Sequence, residues 1–274
     1  FARWVTLAGT ILEPLAGSMS EVKAETISIG SGSAARDIAV LRRPGAAPGV
    51  FWLGGFASDM RGSKAEALDA FAARSGRAFT RFDYSGHGAS GGSFAEGTIS
   101  RWLEEARAVF DLTDGPQVVV GSSMGGWLAL LLAEALRATG RIAGLVLIAP
   151  AVDMTKVLMF DQMSRKERKQ LAEIGVVILP SDFSAAGYRI TRALIEDGEQ
   201  HLFGERLIET GCPVHILHGV EDTDVPFQHA TALVSRLASD DVVLTLVKDG
   251  DHRLSRPEDL ERMIAAVEGV TAMD

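Results

Sequence analysis

An α/β fold with a mostly parallel central sheet is predicted by three observations in this chain of 274 residues. Short apolar runs alternate with amphipathic helical stretches from Val50 onward, the rhythm of βαβ units. A serine between glycines sits where one such run ends and a helix begins. The rhythm breaks after Pro150 and resumes near Pro213, as an insertion into one α/β unit would make it do. The expected organisation is a core of residues 1–150 and 212–274, with helices on both faces of the sheet, and a small helical cap inserted at 151–211.

The elements follow in order. Residues 25–29 and 37–41, joined by Gly30-Ser-Gly-Ser, predict an antiparallel hairpin. An apolar run at 50–54 predicts a strand, and the next stretch predicts a helix with Ser63 as N-cap and Glu66 three residues on, a capping box. Strand and helix then recur at 78–84 and 99–113, and again at 117–122 and 124–138, before a strand at 143–149. Beyond it, Ser164 to Gln170 and a stretch near 185–199 read as helices of the insertion. A strand from Pro213, a helix at 228–238, a strand at 241–248 and a helix at 257–267, with Pro257 in its first turn, close the chain.

Lys and Arg number 27 against 36 Asp and Glu, so 27 − 36 = −9, and such a field repels phosphate backbones. Nucleic acid is excluded as an expected partner. The uncharged stretch 115–133 is long enough for a membrane span, but Pro116, four glycines and the central Ser122-Ser123 make it a strand, turn and helix instead. Cys212 is the single cysteine, so no intramolecular disulfide and no zinc cluster is expected. The chain starts at Phe1 rather than Met, with one early basic residue, Arg3, and no long apolar run, which leaves targeting open with cytoplasmic as the default expectation.

Gly121-Ser122-Ser123-Met124-Gly125 fits G-x-S-x-G, and its place between strand and helix is the context that motif needs. Ser123 is the candidate nucleophile; Ser122 is out of register. A serine hydroxyl is a weak nucleophile at neutral pH, so it needs an imidazole base and a carboxylate to orient that base, in the chain order Ser, Asp, His. His252, in Asp251-His252-Arg253 after the last strand, is the candidate base. Asp222 is favoured as the carboxylate over its neighbours Asp224 and Glu221. The oxyanion of an acyl-transfer intermediate needs preset backbone donors, supplied here by the N–H of Met124 at a helix start and by that of Phe56 after Gly54-Gly55. His215 and His218 read as core or strand-end residues, His201 and His229 as surface residues, and His87 as part of a glycine turn.

These motifs resemble the α/β-hydrolase superfamily over about residues 25–270. Phe82-Asp83-Tyr84-Ser85-Gly86, Gly121 to Trp127 and Asp251-His252-Arg253 resemble, within it, the branch of palmitoyl-protein thioesterases and acyl-glucuronide esterases. The resemblance implies a serine esterase or thioesterase with Ser123, Asp222 and His252 as triad and Phe56 and Met124 as oxyanion donors. Phe56 stands where tyrosine is expected in the eukaryotic branch, a change that a backbone donor tolerates. Met154, Val157, Leu158, Met159, Phe160 and Met163, then Ile178, Leu179, Phe183 and Tyr188, in the insertion suit either an apolar acyl group or plain packing of the cap on the sheet, and Arg165, Lys166, Arg168 and Lys169 read as a solvated face. The expected substrate is an ester or thioester, small or carried on an acylated protein, with no cofactor and no metal. The alternatives are carbon–carbon bond hydrolysis on the same triad, or a non-catalytic binding protein of this fold.

Overall fold

The computed structural model describes residues 22–180, 187–238 and 241–271. Arg3 and Phe183 lie outside the described residues. The hairpin is present as β1 (Lys23–Ile29) and β2 (Arg36–Arg43), paired antiparallel. Strands β3 (Ala46–Leu53) and β4 (Arg77–Phe82) flank helix α1 (Ser63–Ser75). They are followed by α2 (Ile99–Phe110), β5 (Gln117–Ser122), α3 (Met124–Leu136) and β6 (Ile142–Ile148). After the insertion come β9 (Val214–Gly219), α6 (Phe227–Arg236), β10 (Val242–Val247) and α7 (Pro257–Gly269).

Eight strands form one sheet in the order β1-β2-β4-β3-β5-β6-β9-β10. Only β2 runs against its neighbours, because it pairs antiparallel with both β1 and β4 while the remaining pairs are parallel. The C-terminal ends of β3, β5, β9 and β10 therefore open on one edge, where ligands of open α/β sheets bind. Alternation within strands divides the core. Val119, Phe51 and Leu145 face α2, α3 and α6, whereas Val118, Val120, Trp52 and Val146 face α1 and α7. Burial on both faces explains the unbroken apolar runs at 50–53 and 117–120.

The 115–133 stretch is a strand, turn and helix, and no described helix is long and apolar enough to cross a membrane. Two local expectations are corrected. Gly62, not Ser63, is the N-cap of α1, without a side-chain cap bond. Glu66 is drawn away by the buried guanidinium of Arg81, which donates to it at 2.7 Å, so the capping box does not form. The insertion is not all helix: besides α4 (Arg165–Ile174) and α5 (Arg192–Gly198) it holds the antiparallel pair β7 (Val176–Leu179) and β8 (Tyr188–Thr191). Tyr188, Ile190 and Thr191 fall where helix is expected; their aromatic and β-branched side chains favour the pleated pairing.

Candidate active site

The turn from β5 into α3 holds Ser123 at φ 53° and ψ −118°, a strained conformation for a residue with a side chain. Steric closeness dictates the glycines around it. A Cβ on Gly121 would stand 2.3 Å from the carbonyl oxygen of Gly125, and one on Gly125 would stand 2.1 Å from that of Leu53. Backbone bonds from Ser123 N–H to Ile148 O at 2.9 Å and from Ala151 N–H to Ser123 O at 3.1 Å tie the turn to β6 and the chain beyond it.

The structure brings the three distant candidates together. Ser123 Oγ lies 3.1 Å from His252 Nε2, and His252 Nδ1 lies 2.8 Å from Asp222 Oδ2. Nδ1–H donating to the carboxylate puts the ring's lone pair on Nε2, facing the serine hydroxyl. The other oxygen of Asp222 accepts the N–H groups of Asp224 at 2.9 Å and Val225 at 2.8 Å. Burial alone would raise the Asp222 carboxyl, but hydrogen bonds from His218 and His252 outweigh it and hold the group well below the usual carboxylate range. Of the competing carboxylates, Asp224 and Glu221 are exposed, whereas Asp222 is buried. Asp222, Asp224 and His252 bring three metal-ligand atoms within 4.8 Å of one another. Two of those residues are already bonded to each other, so a cation there would have to break the carboxylate–imidazole pair.

Phe56 and Met124 flank the serine. Met124 opens α3, and the Gly54-Gly55 loop abuts the turn so closely that a Cβ on Gly55 would lie 3.4 Å from Ser123 Cβ. Neither amide donates to another backbone group among the described residues. The loop is held from behind. Ala57, at φ 55°, donates its N–H to His87 Nε2 at 3.2 Å, and Met60 N–H donates to Asp83 Oδ1 at 2.6 Å. His87 is buried in the glycine turn and packs on Phe94 and Trp102, with burial pushing its imidazole down.

Ser123 and His252 open into a cavity of about 970 Å³. Phe56, Phe94, Met154, Leu158, Met159 and Tyr188 give it an apolar wall, and Ser58, Lys64, Arg253 and Ser255 a polar one. Tyr188 on β8 meets the Phe56 ring edge-on at 5.4 Å between centroids, so the insertion closes directly on the glycine loop. The charged stretch of α4 does not line the cavity. Two features escaped sequence reasoning. Lys64 bonds Arg253 O and the Ser255 hydroxyl, and burial followed by repulsion from Arg253 pushes its ammonium down to about 8. His218, expected to be a strand-end residue, contacts Asp222. A lysine in a first helical turn carries no such signal, but His218 sits four residues before the favoured aspartate.

An interrupted parallel sheet with a strained serine turn, a late histidine and a strand-end aspartate defines the α/β-hydrolases, and the chain belongs to that family. Its relatives narrow the likeness. It is 36% identical over 234 residues to the palmitoyl-protein thioesterase ABHD10, mitochondrial, of Bos taurus, covering 85% of this chain and 76% of the relative. The mouse alpha/beta hydrolase domain-containing protein 10 superposes with a TM-score of 0.82 at 34% identity, over 91% of this chain and 99% of that one. A crystal structure from Agrobacterium vitis S4 superposes with a TM-score of 0.89 at 50% identity, over 92% and 99%. The family model described as serine aminopeptidase, S33 matches residues 50–182. The ABHD10 relatives are named mitochondrial, which overturns the cytoplasmic expectation. Acidic composition and a lone cysteine fit any reducing compartment and do not distinguish one from another.

Proposed function

We propose that this protein is a serine hydrolase that cleaves carboxylic esters or thioesters carrying an apolar acyl group, through an acyl-enzyme on Ser123. The carrying observation is the continuous relay from Ser123 Oγ through His252 to Asp222 Oδ2, with contacts of 3.1 and 2.8 Å, opening into a cavity whose lining includes Phe94, Met154, Leu158 and Met159. The relatives support the substrate class, since they are named palmitoyl-protein thioesterase and, at 28% identity, monoacylglycerol lipase.

In this reading His252 Nε2 takes the hydroxyl proton as Ser123 Oγ attacks the acyl carbon. Negative charge moves to the former carbonyl oxygen, where the Phe56 and Met124 N–H groups receive it; losing one such donor typically costs about 2.7–4 kcal/mol. The intermediate collapses, and the leaving alkoxide or thiolate takes the proton from His252. A water then gives a proton to Nε2 and attacks the acyl-enzyme; the second intermediate expels Ser123 Oγ, which takes that proton back from Nε2, and the acid leaves. Asp222 holds the imidazole in its Nδ1–H tautomer and stabilises the charge it gains. Residues 151–211 serve as the cap, with the acyl chain against Met154, Leu158, Met159 and Phe94 and the leaving group toward Ser58 and Lys64.

The test is hydrolysis of matched p-nitrophenyl esters and acyl thioesters from acetyl to palmitoyl, in wild type and in Ser123→Ala. Turnover in wild type with loss of about 10⁴-fold or more in the variant is expected. Folded wild-type protein silent across the panel would sink the proposal.

A further inference from the structure

Outside the relay, the molecule holds a second histidine aimed at its acid. We infer that His218 is a positioning residue that fixes the Asp222 carboxylate in line with His252, an inference that rests on the hydrolase reading above. His218 Nε2 lies 2.8 Å from Val225 O and 3.3 Å from Asp222 Oδ2. Facing two acceptors, Nε2 carries a proton: it donates to Val225 O and keeps Asp222 Oδ2 as a second, longer polar contact. A carboxylate offers about four acceptor positions, and each side of Asp222 is engaged: the Asp224 and Val225 amides on Oδ1, and His252 with the longer His218 contact on Oδ2. The carboxylate cannot rotate without losing one of these contacts.

The two anchors of His218 lie on one turn. Val225 gives its N–H to Asp222 and its carbonyl to His218, so the imidazole clasps the 222–225 turn at both ends. The clasp comes from the rigid part of the molecule, because His218 lies within β9, in register with Leu246 of the neighbouring β10, and is 0% exposed. His218 Nδ1 has no partner among the described residues. A side chain kept only to fill this space would not bring a buried, half-satisfied polar ring into an apolar sheet. The groups facing it are Asp222 on its own loop, His252 and Asp224 around that carboxylate, and His229 on α6, whose charge couples to His218.

The test compares rate against pH, kcat and KM, and thermal unfolding for wild type, His218→Leu, His218→Asn and His218→Gln on one p-nitrophenyl ester. Leucine removes the N–H, asparagine is too short to deliver it, and glutamine carries an amide N–H to nearly the same point. A loss of about tenfold in kcat is expected for Leu and Asn, the size of one hydrogen bond to a charged group, with KM within about twofold. Gln should recover most of it. The acid limb of the profile should also move to higher pH in Leu and Asn, because a carboxylate with one donor fewer turns more negative charge toward His252. Folded variants with unchanged kcat and an unmoved acid limb would overturn the inference, even if their melting temperatures fall. Should Leu fail to fold, Asn against Gln carries the comparison. Wild type is assayed first: if it turns over no ester and Ser123 takes no fluorophosphonate label, the hydrolase reading fails and this inference with it.

Discussion

The turn at Ser123 and the proposed cap, with Leu158, Met159 and Tyr188, line the same cavity, and they are specified in opposite ways. At the turn, backbone meets backbone: Gly121 and Gly125 are required because any Cβ would fall within 2.3 Å of a carbonyl oxygen. On the cap, side chains meet open space, and Leu158, Met159 and Tyr188 are only half-buried. A contact between main chains admits one residue, whereas an apolar wall admits many. On the proposed function, chemistry is written into the first region and substrate range into the second, where methionine and leucine can change without disturbing the fold.

The sharpest way to break this contrast is to add a methyl at the turn. Gly125→Ala forces the elbow away from the β3 loop and should cost roughly 3 kcal/mol or more, lowering the melting temperature by several degrees and removing most esterase activity. A variant that melts and turns over like wild type would show that the turn is not sterically fixed. The cap should respond more gently. Each methylene buried on its wall is worth about 0.8 kcal/mol, so kcat/KM should rise about fourfold per carbon until the cavity is filled. Leu158→Ala and Met159→Ala should shift that plateau to longer chains, with less than a tenfold loss on short esters. An unchanged chain-length profile in both variants would place the acyl group elsewhere.

The smallest effect concerns the loop that carries His252, which Lys64 fastens to α1 through Arg253 O and the Ser255 hydroxyl. Its ammonium is pushed down to about 8 in the folded protein, against an ordinary value of about 10.4. Between those values the unfolded chain binds more protons, so this residue makes stability rise with pH across that window. Urea midpoints from pH 7.5 to 10.5 should show the rise in wild type and its absence in Lys64→Gln. A difference between the two proteins that stays flat with pH would mean that the ammonium is solvated.

How legible each region was follows from the same contrast. The βα alternation, the G-x-S-x-G turn and the placement of Ser123, Asp222 and His252 after β5, β9 and β10 were all readable, since each rests on local pattern or forced backbone geometry. The pairing of β7 with β8 was not, because it joins residues nine to fifteen apart rather than resting on local periodicity. Glu66 shows the same limit on a small scale: it matches a capping pattern, and a tertiary partner, Arg81, claims it. His218 looks like an ordinary strand end in sequence because its partner is set by how the 222–225 turn folds back on β9.

Whether Ser123 itself carries the acyl group is read most directly from intact-protein mass after treatment with a fluorophosphonate. One adduct is expected on wild type, the same adduct on Ser122→Ala and none on folded Ser123→Ala. An adduct that persists in Ser123→Ala, or that disappears in a folded Ser122→Ala, would contradict Ser123 as the carrier.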